Sequence, residues 1–228
     1  EWADFCPPAV FNSCGDDIGY SGYDYATVQI GDQCWFAENL RNEHYANGDA
    51  IPGELSNGEW SSTTDGAMTV YGEGTSTVWS GSDDEVSNLA DYGRLYNWYA
   101  VNTGNLCPSG WHVPTDGEFM TLEMELGMSE SEANGTGWRG TDQGTQMKSS
   151  ASDSPAWNGS NTSGFSGLAG GNRNYGGGFG SGGSSGYFWS ASAFGTYAWN
   201  RVLVGGYTEV YRDSSNQRYG FSVRCVRD

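Results

Sequence analysis

The sequence predicts an α+β domain with small antiparallel sheets, one or two short helices and long loops rich in glycine and serine. The 36 glycines among 228 residues indicate many tight turns. Several short segments alternate apolar and polar residues, which is the pattern of half-buried strands. One segment after Pro114 carries the start and stop signals of a helix. No repeat of about 20–50 residues is visible, so we expect a single domain and neither a solenoid nor a propeller.

The chain starts with an irregular lead-in that is followed by a predicted β-hairpin. We assign residues 1–13 to the lead-in segment and 14–228 to the domain. Within 25–41, one strand is predicted to run through Ile30 and a second to start at Cys34, joined by a Gly-Asp turn.

The next two stretches carry weaker signals. Residues 42–88 consist mainly of Gly, Ser, Thr, Asp and Glu with isolated aromatic residues, so we expect a long insertion and no second core. In 91–101 the apolar residues recur at helical intervals, which predicts a helix with Asp91 as its N-cap.

The firmest local prediction is an amphipathic helix after Thr115. Thr115 and Glu118 have the spacing of a capping box, and Gly127 stands where the helix is expected to end. Its apolar stripe consists of Phe119, Leu122 and Leu126. A second short helix is predicted near 141–150.

The rest of the chain is predicted to form a long loop and then strands. Residues 158–186 are rich in glycine and serine, but four apolar anchors interrupt them, so we expect a loop lying on the protein surface. The anchors are Phe165, Leu168, Tyr175 and Phe179. Strands are predicted at 187–193, 197–204, 209–214 and 219–226.

The final strand is predicted to be half-buried and tied into a sheet, because a free chain end would fray. Its residues alternate in type, which assigns them to two faces. One face contains Phe221, Val223 and Cys225, and the other contains Ser222, Arg224 and Val226.

The charge of the chain excludes several partners. With 28 acidic and 10 basic residues the net charge is −18, which repels nucleic acids and anionic membranes. No apolar run is long enough for a membrane-spanning helix. Asp83, Asp84 and Glu85 offer oxygen ligands for a structural Ca²⁺, and the alternative is a solvated acidic loop.

The five cysteines and three Asn-x-Ser/Thr stretches fit an exported, extracellular or cell-surface protein, and the three stretches are candidate glycosylation sites. The spacing of Cys6 and Cys14 suits a local disulfide loop. Cys34, Cys107 and Cys225 leave at most one further pair. A metal site on these cysteines is not expected, because no C-x-x-C occurs and only two histidines are present.

Four motifs in this order resemble the Fibrobacter succinogenes major paralogous domain, found in exported proteins of Bacteroidetes and related bacteria. They are "IGDQCWFAENLR", "YGRLYNWYAV", "LCPSGWHVPTDGEF" and "YGFSVRCVRD". The resemblance covers roughly residues 14–228. It implies a C-type-lectin-like fold near the formylglycine-generating-enzyme type, in which the terminal strand pairs with the strand at "GWHV". It also implies a Cys107–Cys225 disulfide that leaves Cys34 free, with Cys34–Cys225 as the rival pairing.

The resemblance does not bring an enzymatic activity with it. Formylglycine-generating enzymes need C-terminal active-site cysteines, and only Cys225 follows Cys107 here. His112 lies in the strand-to-helix motif, where we expect a structural role. Calcium-dependent lectins use a W-N-D strand motif, whereas Trp199-Asn200 is followed by Arg201. We therefore expect a protein that is not an enzyme.

The tyrosine-rich stretch 194–219 has the composition of a recognition surface. In some members of the family it is diversified by retroelements. The sequence predicts a binding or adhesion module for a protein or glycan, and the alternative is a structural subunit that assembles with its own copies through the N-terminal segment. The residues predicted to face the ligand are Tyr197, Asn200, Arg201, Tyr207, Glu209, Tyr211, Asp213, Asn216 and Arg218.

Overall fold

The computed structural model describes residues 11–74 and 85–228. Its strands are β1 (Ile18–Tyr20), β2 (Tyr23–Tyr25), β3 (Thr27–Ile30), β4 (Gln33–Phe36), β5 (Met68–Val70), β6 (Arg94–Asn97), β7 (Trp111–His112), β8 (Gly137–Arg139), β9 (Gly170–Arg173), β10 (Phe179–Gly182), β11 (Ser185–Phe194), β12 (Tyr197–Val204), β13 (Val210–Asn216), β14 (Gly220–Phe221) and β15 (Val226–Arg227). Its helices are α1 (Asn57–Ser62), α2 (Glu85–Tyr92), α3 (Trp98–Val101), α4 (Asp116–Glu125), α5 (Glu130–Ala133) and α6 (Gln143–Met147).

The predicted α+β class is confirmed, with three sheets in the described part of the chain. The largest has the order β5-β6-β14-β9-β11-β12-β13-β8, with β10 paired to β9. A four-stranded sheet has the order β3-β4-β15-β7, and β1 pairs with β2. The described residues form six helices, not the one or two expected, because helices of four to six residues are too short to show a helical period.

The hydrophobic core lies on both faces of the large sheet. Phe188 and Trp189 are neighbours on β11, so their side chains point to opposite faces. Phe188 packs in one cluster with Phe119 of α4, whereas Trp189 packs in the other with Phe221. Strand β11 therefore lies in the middle layer of the domain, with core on both of its faces.

Local signals placed several elements correctly. The β3–β4 hairpin turns at Gly31, whose φ is +57°. Helix α4 starts at the predicted capping box, in which the Thr115 side chain accepts from the Glu118 backbone and the Glu118 side chain accepts from the Thr115 backbone. Helix α6 confirms the short helix predicted near 141–150.

The helix predicted over 91–101 is wrong. This segment contains the last residues of α2, then the strand β6, and only then the one-turn helix α3, whose N-cap is Asn97 and not Asp91. The apolar residues of the predicted helical stripe come from two elements, Leu95 from β6 and Trp98 and Tyr99 from α3, so their spacing imitates a single helix. The 42–88 stretch also contributes to packing, since Trp60 is fully buried and its Nε1 donates to the carbonyl of Arg218 at 2.8 Å.

The glycine-rich stretch 158–186 is more ordered than a surface loop. It contains β9 and β10, and its anchors Phe165 and Leu168 are buried. Tyr175, by contrast, is 57% exposed.

The C-terminus closes the domain as the resemblance implied. Val226 pairs with His112 of β7 and with Trp35 of β4. The prediction of a half-buried strand is wrong, however, because side chains on both faces of this segment are buried. Ser222 and Arg224 are both fully buried.

One predicted disulfide is confirmed and one is wrong. Cys107 is bonded to Cys225, whereas Cys14 is bonded to Cys34 and not to Cys6. The hairpin folds Cys34 back beside Cys14, a proximity that sequence spacing cannot reveal, so Cys34 is not free. Cys6 lies outside the described residues. Two disulfides are typical of proteins that fold outside the reducing cytoplasm.

Within the described ranges, no helix has the length and apolar character needed to cross a membrane.

Candidate functional site: an acidic aromatic strip

The nine residues predicted to face a ligand do not form one surface. Asn200 and Arg201 are fully buried, which contradicts their predicted role. Asn200 lies opposite Trp189 of β11, and its Nδ2 donates to Ser215 Oγ at 3.0 Å. Strand β12 is flanked by β11 and β13, and its residues from Asn200 to Leu203 are buried on both faces.

Arg201 is the centre of a buried ionic network beneath α4. Its Nη1 donates to Asp116 Oδ1 and its Nε to Glu123 Oε1, both at 2.6 Å. Arg212 also donates to both oxygens of Asp116, and Arg139 donates to both oxygens of Glu123. Burial would raise the pKa of Asp116, but its bonds to Arg212 and Arg201 outweigh this, so the pKa lies below its ordinary value.

Three further residues of the predicted set lie at the other end of the sheet. Tyr197 and Asn216 are opposite each other on β12 and β13, beside the tip of the β11–β12 hairpin. Arg218 is partly buried, and its carbonyl accepts the bond from Trp60. These residues do not join the remaining four.

The remaining four residues follow one another along the sequence "YTEVYRD". Tyr207, Glu209, Tyr211 and Asp213 are partly or fully exposed, whereas Val210 and Arg212 between them are buried. Tyr211 and Asp213 share one face of β13, since side chains two residues apart in a strand point the same way. We call these four residues together with Trp138 the acidic aromatic strip.

Trp138 joins the strip from the neighbouring edge strand β8, where it lies opposite Tyr211. Its ring stacks on Tyr207 with centroids 4.2 Å apart and planes 6° from parallel. The Tyr211 ring is tilted against it at 4.9 Å. Trp138 is 42% exposed and Tyr207 is 47% exposed. Three aromatic rings therefore meet at the protein surface.

Contacts with buried residues fix the turn that carries Tyr207. Lys148, the single lysine, is buried, and its Nζ donates to the carbonyls of Val204 and Tyr207 at 3.0 and 2.6 Å. The backbone N–H of Thr145 in α6 donates to the carbonyl of Thr208 at 3.1 Å. Gly144 lies against the Glu209 backbone, where a Cβ would collide. These contacts fix the turn before any ligand arrives.

Sequence reasoning missed Trp138. It stands in "GTGWRG", between glycines, where nothing marks it as part of a strand. The available signal was a large aromatic residue in a polar surrounding, combined with the predicted strand at 209–214.

Of the three predicted calcium ligands, Glu85 is the one that lies within the described residues. Asp83 and Asp84 lie outside the described residues. Glu85 begins α2, where burial and the neighbouring Glu73 carboxylate raise its pKa. Among the residues that the structure describes, no group of three or more His, Cys, Asp or Glu side chains could hold a metal ion.

His112 is engaged through both ring nitrogens. Nδ1 lies 2.6 Å from Asp228 Oδ1, and Nε2 lies 2.8 Å from Glu118 Oε1. Partial burial lowers the pKa of His112, but the bonds to Asp228 and Glu118 outweigh burial and the pKa is raised. The ring thus connects the terminal segment to the capping box of α4.

Comparison with known proteins agrees with the four motifs. The sequence model of one family, described as the Fibrobacter succinogenes major domain, matches residues 28–227. None of the curated proteins and none of the solved structures matches the chain. The match spans β3 to β15 and contains both the acidic aromatic strip and the segment that closes the fold. The chain therefore belongs to the Fibrobacter succinogenes major domain family.

Proposed function

We propose that this protein is a non-catalytic binding or adhesion module that recognises a protein or glycan through the acidic aromatic strip. The observation that carries the proposal is the exposed stack of Trp138 on Tyr207, set on an edge strand and held by buried contacts from α6. Exposed aromatic side chains gathered in one patch are typical of interaction sites.

The energetics favour recognition by this patch. Trp and Tyr offer wide contact area and have only two side-chain torsions to fix on binding. Here much of that ordering has already occurred, because the Trp138 ring is stacked and the Lys148 ammonium anchors the turn of Tyr207. Pre-organisation of this kind reduces the entropy lost on association.

The setting of the module is part of the proposal. We infer an extracellular or cell-surface location, and the two disulfides support it. We also infer a C-type-lectin-like fold. The pairing of β15 with β7 supports it, because the family resemblance implies this closure of the chain ends.

A non-catalytic role is supported by the state of His112. Both of its ring nitrogens are bonded to carboxylates, so the ring is committed to holding the terminal segment. The prediction that this residue is structural is consistent with that geometry.

The proposal is tested by comparing the ligands captured by the wild-type protein and by a Trp138→Ala/Tyr207→Ala variant. Both are displayed on a solid support and probed with a glycan array and with purified extracellular proteins of the source organism. Tyr175→Ala is the matched control, since this exposed tyrosine lies outside the strip. We expect the double variant to lose the ligands that the control retains. Equal capture by all three proteins would rule out the strip as the binding site.

Assembly into a fibre or surface layer stays an alternative expectation. The segment that motivates it is residues 1–11, of which 1–10 lie outside the described part of the chain and Phe11 packs against Trp111. Size-exclusion chromatography separates the two functions, because a stable monomer contradicts assembly and an ordered polymer supports it.

A further inference from the structure

The basic residues of this protein are mostly withdrawn from its surface. Seven of the ten are buried, namely Arg94, Arg139, Lys148, Arg173, Arg201, Arg212 and Arg224. The acidic residues have the opposite distribution, since Asp116 and Glu123 are the buried carboxylates of the described ranges. The surface is therefore predominantly anionic, and Arg41, Arg218 and Arg227 are the basic side chains that reach it.

The distribution of charged side chains indicates which kind of partner the acidic aromatic strip can bind. Glu209 and Asp213 stand on either side of Tyr211 along the chain, each two residues away. The strip thus presents aromatic faces and carboxylates together. Aromatic faces attract cations through the ring quadrupole, with Trp the strongest, and neighbouring carboxylates add to this attraction. A neutral glycan could stack on the rings and donate hydroxyl hydrogen bonds to the carboxylates but would not use their charge, and an acidic ligand would be repelled.

The interior of the protein already contains an arginine bound by the same combination of groups. The guanidinium of Arg212 lies 4.1 Å from the centre of the Trp199 ring. Its Nη2 and Nε also donate to the Asp116 carboxylate, at 2.5 and 3.0 Å. A planar guanidinium can satisfy a ring face and a carboxylate at once, which an ammonium does less well.

We propose that the acidic aromatic strip binds an arginine side chain from a basic segment of a partner protein, with the guanidinium on Trp138 and a hydrogen bond to Asp213. This inference rests on the proposed function, because it names the ligand chemistry of the same surface. Tyr207 covers one face of the Trp138 ring, and the guanidinium would bind to the part of Trp138 that stays exposed, 42% of the side chain.

The test uses blocked peptides of identical length and spacing that contain arginine, lysine, citrulline or glutamate, and a neutral oligosaccharide as a separate probe. Binding is measured by titration calorimetry and by tryptophan fluorescence at low and at physiological salt. The variants are Trp138→Ala and Asp213→Asn. Their matched controls are Tyr175→Ala and Asp24→Asn, which change an exposed ring and an exposed carboxylate elsewhere. Thermal unfolding confirms that each variant is folded.

We expect the arginine peptide to bind best and the Trp138→Ala variant to bind it about tenfold more weakly. Asp213→Asn should also weaken binding and reduce its salt dependence, while both control variants bind like the wild type. If the arginine peptide bound equally well to the wild type and to Trp138→Ala, the net charge of the protein would account for binding and the inference would be overturned. Equal binding of arginine and citrulline peptides, or no binding of any peptide, would also overturn it.

The oligosaccharide separates this inference from the proposed function. If it binds in a Trp138-dependent manner and the arginine peptide does not, the strip is a binding site, as proposed, and the cationic ligand is wrong. If the arginine peptide binds through Trp138, both proposals gain support.

Discussion

Replacement of Arg201 by methionine should destabilise the fold without acting through any ligand. The side chain is fully buried and donates to Asp116 and Glu123 of α4, so it joins the helix to the centre of the large sheet. Methionine fills similar space but removes the charge and all of these hydrogen bonds. This change separates a structural role from the ligand-facing role that the sequence suggested.

The magnitude follows from what remains in the network. Removing one member of a buried ion pair typically costs about 3–5 kcal/mol, because it strands a charge. Without Arg201, however, Asp116 keeps two bonds from Arg212 and Glu123 keeps two from Arg139. We therefore expect the low end, about 3 kcal/mol. For a chain of this size that corresponds to a fall in Tm of about 6–12 °C.

Glu123→Gln should cost more, about 5 kcal/mol, because it leaves Arg139 and Arg201 buried without this shared carboxylate. Urea unfolding of the oxidised protein, followed by fluorescence and circular dichroism, measures both costs. The exposed Asp24→Asn variant is the control. An Arg201→Met variant with wild-type stability and impaired ligand binding would refute the structural role. If Glu123→Gln lowered the free energy of unfolding less than Arg201→Met does, the argument from the remaining hydrogen-bond partners would be refuted.

Three further predictions concern pH, cross-links and the strip. His112→Gln should lower the free energy of unfolding most below pH about 6.5, which is the pKa of histidine in the unfolded chain. The pKa of His112 is raised in the folded protein, so protonation of the ring stabilises the folded state. The difference should vanish as pH rises through the folded pKa, and a difference in unfolding free energy that grows with pH would contradict this. Loss of the Cys107–Cys225 bond, which spans 118 residues, should cost about 5 kcal/mol, against about 3 for the other disulfide, which spans 20. Denaturant titration of the serine variants measures both, and equal costs would contradict the loop-length argument. Lys148→Met should cost about 2 kcal/mol, because two carbonyls lose a charged donor, and should also weaken ligand binding at the strip. A variant with unchanged stability and unchanged binding would contradict this role.

Local chemistry was readable from the sequence where a few adjacent residues decide the backbone. The capping box of Thr115 and Glu118 and the glycine turn at Gly31 need no distant partner, and both were placed correctly. The closure of the chain by β15 came from the family resemblance and not from local pattern.

The errors occurred where a distant contact decides the outcome. Arg201 was expected at the surface because it stands in the stretch 194–219, which has the composition of a recognition surface. Its burial depends on Asp116 and Glu123, which lie 85 and 78 residues away along the chain. The acidic aromatic strip also depends on a contact between distant residues, since Trp138 and Tyr211 become neighbours only through the pairing of β8 with β13.

The buried arginines link the fold to the proposed ligand chemistry. Long loops leave many backbone carbonyls without partners in secondary structure, and buried carbonyls need donors. Arg224 donates hydrogen bonds to the carbonyls of three residues, Phe36, Phe165 and Ser166. Burial lowers the pKa of Arg224 only to about 9, so its side chain stays charged at neutral pH. Arginines that serve such loops are not available to neutralise surface carboxylates. Burial of seven of the ten basic side chains therefore strengthens an anionic character that the excess of 28 acidic over 10 basic residues already sets, and a partner that brings its own arginine supplies the charge that this surface lacks.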